Sequence, residues 1–327
     1  MLRTFAAAAA GLFLATSANA SDFTPAIIFD MGGKFDESFN QAAYNGAERF
    51  REETGIDYLE FEITNDAQRE QALRRMVRKD ADVVVVVGFA FATPLEAVAG
   101  EETDRKFTII DMVVDLPNVQ SVTFKEHEGS FLVGMAAALA SKTGKVGFVG
   151  GMDIPLIRNF EHGYKQGVHH VNADDEVISN MAGTTSAAWT DRARGAELAI
   201  SQFDRGADVV YHAAGSTGEG VLRAAADRGK LGIGVDSNQN GLHPGSVLTS
   251  MLKRVDVAVY NAMKSAMDGN WQAGAQSLGL AEDGVGYAID DNNRALITPE
   301  MEAKLEEAKA SIIAGDIVVE DYYSTQQ

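Results

Sequence analysis

Residues 27–50 read IIFDMGGKFDESFNQAAYNGAERF, and this stretch decides how the chain begins to fold. An apolar run that ends at Asp30 is typical of a buried strand, and the segment from Phe39 onward has the spacing of a helix. The turn between them contains two adjacent glycines, as do turns that bind phosphate at a helix N-terminus. However, Asp30, Asp36 and Glu37 would repel phosphate. The stretch therefore predicts a strand–turn–helix unit whose turn binds another kind of ligand.

Strands and helices alternate along the rest of the chain. The run Val83–Val87 is apolar at every position, which is typical of a parallel strand buried on both faces. Amphipathic helical patterns separate the strand-like runs, and this alternation predicts an α/β protein with doubly wound parallel sheets. The predicted strands are residues 26–29, 58–63, 83–87, 108–110, 146–149, 209–212 and 232–235.

The second half of the chain repeats features of the first. An Asp-Val-Val run that begins at Asp82 recurs at Asp208, and the apolar–Asp pair that ends at Asp111 recurs at Asp236. Both offsets are about 125 residues, and a constant offset is the signature of a repeated structural unit. Because 327 residues suffice for two cores of ordinary size, we predict two lobes of similar fold.

The composition excludes several classes of function. The net charge is −19, and a protein this acidic binds neither nucleic acid through its phosphates nor an anionic membrane surface. The chain has no cysteine, which excludes disulfides, thiol nucleophiles and zinc fingers. Its histidines form no close metal-binding pattern, and no nucleophile-elbow motif occurs. We therefore predict ligand binding without catalysis and without a resident metal or cofactor.

The first twenty residues, MLRTFAAAAAGLFLATSANA, form a predicted secretory signal peptide. They contain Arg3, then an apolar stretch, and they end in the small-residue motif Ala18-Asn19-Ala20. The apolar stretch is too short for a typical membrane anchor. Since the chain offers no cysteine for lipid attachment, we expect export to a bacterial periplasm by a cleaved signal, without lipidation.

Ligands of doubly wound sheets bind at the carboxyl ends of the strands, so two facing lobes would bring both sets of strand ends to one cleft. A carboxylate at such a position accepts two hydrogen bonds at once, which suits a ribose diol or the N–H groups of a base. Capping of the next helix is the alternative role for Asp36 and Asp111. The residues at the predicted strand ends are Asp30, Phe89, Asp111, Asp153, Gly215 and Asp236.

Aromatic side chains supply the other half of the predicted site. Phe39 and Trp189 each stand just before a helix, after a polar turn, and one comes from each predicted lobe. Two rings closing on a flat heterocycle would contribute about 1–3 kcal/mol per stacked face. Packing within the lobes is the alternative role for both rings. The loop from Gly215 to Gly220 suits an anion or a neutral polar group equally, and it lacks the lysine of a phosphate-binding loop.

The segment DMGGKFDESFNQAAYNG, which begins at Asp30, resembles the D-x-G-G-x-x-D-x-S-F-N signature of the basic membrane protein family. The members of this family are purine-nucleoside-receptor-like substrate-binding proteins of ABC transporters. Further similarities follow in the same order over the whole mature chain. They are Gly88-Phe89, Ile110-Asp111, Gly150-Gly151-Met152-Asp153, Ala213-Ala214-Gly215, Gly234-Val235-Asp236 and Thr249-Ser250-Met251-Leu252-Lys253.

The resemblance implies a type I periplasmic-binding-protein fold, in which three hinge crossovers join two lobes and a nucleoside lies between them. It implies that Asp30 and Asn40 hydrogen-bond the base and that Phe39 stacks on it. Asp236 would accept hydrogen bonds from the ribose, with Lys253 beside it. The other primary candidates are Trp189, where the family usually has Phe, and Gly215, which would offer its backbone; the secondary candidates are Ser38, Phe89, Asp111 and Asp153.

The hinge pattern of the family also predicts where the lobes divide. The first crossover is expected near residues 124–128, the return near residues 249–253 and the last near residues 269–274. These positions assign residues 21–125 and 250–272 to lobe 1, and residues 126–249 and 273–327 to lobe 2.

The function implied by the resemblance is capture of a purine nucleoside, of the guanosine, adenosine or inosine class, for uptake by a cognate ABC permease in the inner membrane. We expect a monomer. Alternatives on the same fold are binding of a free purine base or another flat heterocycle such as a flavin, and ligand sensing. A nucleoside hydrolase is a further alternative, but the acids from Asp30 to Glu37 lack the spacing of a calcium loop.

Overall fold

The computed structural model describes residues 23–326, so the predicted signal peptide lies outside the described residues. Within this part of the chain, no helix is both long and apolar enough to cross a bilayer. The strands are β1 (Pro25–Phe29), β2 (Leu59–Glu62), β3 (Val83–Val87), β4 (Lys106–Ile110), β5 (Val119–Phe124), β6 (Lys145–Met152), β7 (Glu176–Gly183), β8 (Val209–Ala213), β9 (Leu231–Asp236), β10 (Val247–Lys253), β11 (Gly274–Leu278) and β12 (Val285–Tyr287). The helices are α1 (Phe39–Thr54), α2 (Arg69–Arg78), α3 (Ala92–Glu101), α4 (Glu126–Ala140), α5 (Pro155–Val171), α6 (Arg192–Asp204), α7 (Thr217–Asp227), α8 (Val255–Met267) and α9 (Pro299–Ala314).

The first sheet has the strand order β11-β5-β4-β3-β1-β2, and all neighbouring strands are parallel. Strand β3 lies inside this sheet, and its valines are completely buried. Val85 and Val87 pack toward α1 and α8, whereas Val84 and Val86 pack toward α2 and α3. The fully apolar run therefore belongs to a strand that helices cover on both faces.

The second sheet has the strand order β12-β10-β9-β8-β6-β7, and its strands are parallel except for β12, which runs antiparallel to β10. Leu198 of α6 and Val221 of α7 pack on one face of the sheet. Phe131 of α4 and Tyr164 of α5 pack on the other. Both lobes are thus doubly wound, as predicted, and each sheet is covered by helices on its two faces.

The chain passes between the sheets after β5, after β10 and after β11. Strand β10 remains in the second sheet through Lys253, and β11 pairs with β5 of the first sheet through Leu278. These passages differ from the predicted boundaries, which assign residues 250–253 to lobe 1 and residues 274–278 to lobe 2. The predicted boundaries followed the hinge pattern of the family, and the residues of β11 could not correct them, because this strand is mostly exposed and shows no apolar alternation.

Two aspartates hold unusual backbone conformations at the carboxyl ends of their strands. Asp111 follows β4 and Asp236 ends β9, at equivalent places in the two lobes. Their φ angles are 73° and 64°, a left-handed region that side-chain-bearing residues seldom occupy. Strain of this kind costs on the order of 1–3 kcal/mol and is retained mostly at functional sites. The carboxyl ends of these strands are therefore the expected position of a functional site.

Candidate ligand-binding site between the lobes

A cavity lies between the two lobes, at the carboxyl ends of their strands. It encloses about 660 Å³ of space, part of it open to solvent. Two of the secondary candidates, Phe89 and Asp111, line it. So do all the primary candidates, which are Asp30, Phe39, Asn40, Trp189, Gly215, Asp236 and Lys253.

The turn after β1 is fixed by Asp36. Its buried carboxylate accepts hydrogen bonds from the backbone N–H groups of Ser38, Asn40 and Gln41, at distances of 2.9, 3.1 and 3.0 Å. These N–H groups lie at the start of α1, where they have no partners within the helix. Burial raises the pKa of Asp36, and the three hydrogen bonds oppose that rise. Asp36 therefore caps α1, which presents Phe39 to the cavity from its first position.

The side chain of Asn40 is occupied within lobe 1. Its Oδ1 accepts a hydrogen bond from the backbone N–H of Asp30 at 3.2 Å. Its Nδ2 donates to the carbonyl oxygens of Asp30 and Met31, at 3.3 and 3.5 Å. The amide thus holds the start of the turn in place, and hydrogen bonds to a ligand base would compete with these backbone partners.

Asp30 is paired with an arginine that the sequence analysis missed. Arg69 donates from Nε and Nη2 to Oδ1 of Asp30, at 2.9 and 2.6 Å. Burial raises the pKa of Asp30, and the guanidinium beside it offsets part of that rise. One signal was present in the sequence: Arg69 begins α2, where the helix dipole disfavours a cation unless acids lie nearby.

Aromatic rings line the cavity from both lobes. Phe39 and Phe89 come from lobe 1, and Phe160 and Trp189 come from lobe 2. The Trp189 ring packs so closely on Gly151 that a Cβ atom at that glycine would lie 2.1 Å from Cζ3 of the indole. Gly151 therefore determines where the indole lies. Rings that approach from opposite lobes can cover the two faces of a flat ligand.

Lys253 lies at the centre of a buried cluster of charges. Its Nζ is 2.6 and 2.7 Å from the two oxygens of Asp111 and 3.1 Å from Oε1 of Glu126. Burial lowers the pKa of Lys253, but the carboxylates of Asp111, Glu126 and Asp236 raise it more, so the ammonium stays charged. Burial raises the pKa values of Asp111 and Glu126, and Lys253 opposes both rises. Three rings also surround Nζ at 5.0–5.4 Å from their centroids, within cation–π range; they are Phe39, Phe124 and Phe160.

Asp236 presents a free oxygen at the cavity wall. Its Oδ2 accepts a hydrogen bond from Oγ of Ser38 at 2.6 Å, and its Oδ1 has no hydrogen-bond partner among residues 23–326. Burial raises the pKa of Asp236 to about 7, against the opposing effects of Lys253 and Ser38. Ser38, a secondary candidate, thus contacts Asp236 and not the cavity itself.

Further hydrogen bonds join the two lobes near Asp236. Oγ of Ser237 donates to the carbonyl oxygen of Ser38 at 2.7 Å, and Nε2 of Gln239 donates to the carbonyl oxygen of Glu37 at 2.9 Å. Gln239 in turn contacts Nε2 of His212 at 2.9 Å. Burial lowers the pKa of His212 to about 4, so this histidine is a neutral packing residue. These contacts show the lobes closed on each other.

Asp153 is, with Ser38, one of two predicted candidates that do not line the cavity. Its carboxylate accepts two hydrogen bonds from Arg158, both at 2.8 Å, on an exposed surface. The arginine lies five positions later, so the ion pair forms locally and turns the carboxylate away from the cleft.

Glu126 and Phe160 contact the Lys253 cluster and were missed as site residues. Glu126 begins α4, where an acid is favoured by the helix dipole whatever its function. Phe160 lies on the buried face of α5, where an aromatic residue is ordinary core packing. Their roles depend on contacts with β10, which is far away in sequence.

The site can bind a flat ligand that carries hydrogen-bond donors. Asp30 and Asp236 offer carboxylate oxygens from the two lobes, and Gly215 offers its backbone. The cations Lys253 and Arg69 are each held by two carboxylates, so a phosphate group would meet uncompensated negative charge. Within residues 23–326, no group of three or more potential ligands is arranged to hold a metal ion.

Residues 23–322 match the Bmp family, described as ABC transporter substrate-binding protein PnrA-like. A CD4+ T-cell-stimulating antigen of Listeria monocytogenes is 35% identical over 92% of this chain and 89% of its own length. The ABC transporter nucleoside-binding protein BmpA of Lactococcus lactis is 32% identical over 91% of this chain and 89% of its own length. An uncharacterized lipoprotein of Pyrococcus horikoshii is 36% identical over 80% of this chain and 68% of its own length.

Solved structures show the same fold. An ABC transporter solute-binding protein from Aeropyrum pernix superposes with a TM-score of 0.83 at 32% identity, over 92% of this chain and 96% of its own. A solute-binding protein from Conexibacter woesei superposes with a TM-score of 0.73 at 20% identity, over 92% and 99% of the two chains. The predicted type I periplasmic-binding-protein fold is therefore confirmed.

Proposed function

The chain belongs to the Bmp family of ABC transporter substrate-binding proteins, and from this premise we propose that it captures a purine nucleoside between its two lobes. Guanosine, adenosine and inosine form the proposed ligand class. The observation that carries the proposal is the pairing of aromatic rings from both lobes with the free oxygen of Asp236. A base would lie between the rings, and a ribose hydroxyl would donate to that oxygen.

The charges around the cavity support an uncharged ligand. Lys253 is already surrounded by Asp111, Glu126 and Asp236. A nucleoside adds hydrogen-bond donors to this acidic site without adding a negative charge. A nucleotide would bring its phosphate next to carboxylates that have no spare cation.

Delivery of the bound nucleoside to a cognate ABC permease is part of the proposal. The proposed location is the periplasm, reached through the predicted signal peptide of residues 1–20. The relative from Lactococcus lactis is named as nucleoside-binding, and the same ligand class is proposed for this chain. Relatives from Pyrococcus are named lipoproteins, whereas this chain is proposed to be exported without lipidation.

A melting-temperature screen tests the proposal. A ligand that binds only the folded state stabilises it by about 2.7 kcal/mol at one hundred times its dissociation constant. We expect guanosine, adenosine or inosine to raise the melting temperature, and mass spectrometry to recover the nucleoside unchanged. No shift with any of these nucleosides or their free bases would contradict the proposal.

The change Asp236→Asn separates a nucleoside from a free base. At about pH 8, where most of the Asp236 carboxyl is ionised, loss of this charged acceptor should weaken nucleoside binding about 10–100-fold and leave the binding of a free base nearly unchanged. The matched control is Asp153→Asn, which alters an exposed strand-end carboxylate outside the cavity and should not affect either ligand. Equal affinities of wild type and Asp236→Asn for a nucleoside, measured by calorimetry, would rule out the proposed contact with the ribose.

A further inference from the structure

Arg69 occupies a position between two aspartates on the wall of lobe 1. Its Nε and Nη2 donate to Oδ1 of Asp30, and its Nη1 donates to Oδ1 of Asp66 at 2.9 Å. The Arg69 side chain is only 8% exposed, and its guanidinium lies 5.6 Å from the ring centroid of Phe91. A planar guanidinium held on two sides in this way has little freedom to move.

The arginine leaves one oxygen of Asp30 free at the cavity. Both hydrogen bonds from Arg69 go to Oδ1, and neither goes to Oδ2. Oδ2 lies over Gly88, 3.0 Å from where a Cβ atom of that residue would be, and both residues line the cavity. Oδ2 is thus the oxygen of Asp30 that the guanidinium leaves available to a ligand in the cavity.

Asp66 connects this pair to the opposite lobe. Its second oxygen, Oδ2, accepts a hydrogen bond from Oγ of Ser186 at 2.9 Å. Ser186 begins the 3-10 turn Ser186–Trp189, which carries the indole that lines the cavity. On its own side, Asp66 begins a 3-10 turn that Asn65 and Gln68 fix with a capping box. A continuous series of hydrogen bonds therefore runs from Asp30 across the cleft to the turn that carries Trp189.

We propose that Arg69 is a positioning residue that keeps Asp30 ionised and aimed at the ligand and, through Asp66 and Ser186, couples this acceptor to closure of the lobes. The charged groups that act on Asp30 are Arg69, which favours the ionised form, and Asp66, which opposes it. Without the guanidinium, the pKa of Asp30 would rise further, which favours a protonated carboxyl group that is a weaker acceptor than the carboxylate. This inference takes only the ligand class, a purine nucleoside, from the proposed function.

Direct titration of Asp30 tests the first half of the proposal without any ligand. In Arg69→Met, the midpoint of the Asp30 carboxyl signal, followed by carbon NMR and assigned with Asp30→Asn, should move upward by about 1–3 pH units. Arg69→Lys retains the positive charge but lacks the paired N–H donors of the guanidinium. The Asp30 midpoint in this variant should therefore lie between those of the wild type and Arg69→Met. The control is Arg75→Met, which removes an exposed arginine from the same helix and should leave the midpoint unchanged. Identical midpoints in wild type and Arg69→Met would overturn the proposal.

The distance between the lobes tests the coupling. Because the chain has no cysteine, fluorophores can be attached to Glu52→Cys and Glu197→Cys on exposed helix positions of the two lobes. Energy transfer in the unliganded protein should fall in both Arg69→Met and Ser186→Ala, and it should stay at the wild-type value in the neighbouring control Thr185→Ala. Wild-type transfer in both test variants would refute the coupling.

Inosine then connects the inference to the proposed function. Loss of one hydrogen bond across the cleft should weaken inosine binding to Ser186→Ala about 2–10-fold, because a neutral hydrogen bond contributes about 0.5–1.5 kcal/mol. Failure of the wild type to bind inosine, guanosine or adenosine would contradict the proposed function, whereas the titration and the energy transfer would still decide the role of Arg69.

Discussion

At the scale of single residues, Lys253 shows how burial changes the role of a charge. One ammonium group pairs with both Asp111 and Glu126 in the interior, with Asp236 nearby. A buried ion pair is a weak source of net stability, but removal of one partner leaves a charge without compensation. Lys253 is therefore expected to be essential to the fold of the cleft as well as to its electrostatics.

We expect Lys253→Met to lower the free energy of unfolding by about 3–5 kcal/mol near neutral pH, the usual cost of leaving buried charges unpaired. Urea unfolding measures this change. The control is Lys145→Met, which breaks an exposed pair with Glu176 and should leave the unfolding midpoint nearly unchanged.

The loss in Lys253→Met should also depend on pH. Burial raises the pKa values of Asp111 and Glu126 even beside Lys253, and the variant removes the charge that opposes the rise. A carboxyl group whose pKa is higher in the folded state favours folding at low pH, and this contribution is lost as pH rises through the folded pKa. The variant should therefore lose less stability at about pH 5 than at about pH 8. An equal loss at both pH values would contradict the compensation of Asp111 and Glu126 by Lys253.

At the scale of elements, the strand ends determine the site, and glycines determine how closely the elements approach there. Gly151 lies in β6, against the indole of Trp189. Any side chain at this position would displace the ring from the cavity wall. Strand β6 therefore determines the position of the Trp189 ring, although Gly151 itself has no side chain.

Gly151→Ala should weaken nucleoside binding roughly 5–100-fold, because it displaces a ring whose stacking is worth about 1–3 kcal/mol. Gly286→Ala is the matched control within the same sheet, since a Cβ atom there would have no neighbour within 4 Å. Calorimetry with guanosine and inosine compares the two variants. Unchanged affinity in Gly151→Ala would show that Trp189 does not contact the ligand.

The elements also show how far sequence reasoning reached. The apolar run of β3 predicted a buried parallel strand, and the acids after β1, β4 and β9 were expected at one cleft because strand ends converge in doubly wound sheets. The predicted strands did not include β5, β7, β10, β11 and β12, and β11 was missed because its exposed residues show no apolar pattern. A strand such as β11 can be recognised only from the strand with which it pairs, because its own residues show no strand pattern.

The sequence predicted most of the residues that line the candidate cavity, but it predicted few of the contacts that these residues make. Asp30 and Asn40 were found from a motif, but the sequence could not reveal that Arg69 holds Asp30 or that Asn40 is spent on the backbone. Arg69 is separated from Asp30 by helix α1, strand β2 and the 3-10 turn Asp66–Gln68, and local spacing contains no information about such pairs. Asp153 illustrates the reverse case, in which a local ion pair with Arg158 removed a candidate from the cleft.

At the scale of the whole molecule, two lobes meet around a cavity and are joined by several hydrogen bonds. Ser237 and Gln239 contact the turn at Glu37 and Ser38, and Ser186 contacts Asp66. A ligand that touches both lobes favours this closed arrangement by the difference in its affinity for the closed and open states. Ligand capture in this protein is thus expected to be a property of both lobes together.

The most direct test of the central claim is calorimetric titration of protein that has been unfolded and refolded to remove any bound ligand. We expect saturable one-to-one binding of guanosine, inosine or adenosine with a dissociation constant of about 1 μM or lower, equivalent to a binding free energy of about −8 kcal/mol or more favourable. The matching nucleoside 5′-monophosphate should bind far more weakly. Absence of binding by all three nucleosides, or tighter binding of the monophosphate, would contradict the account.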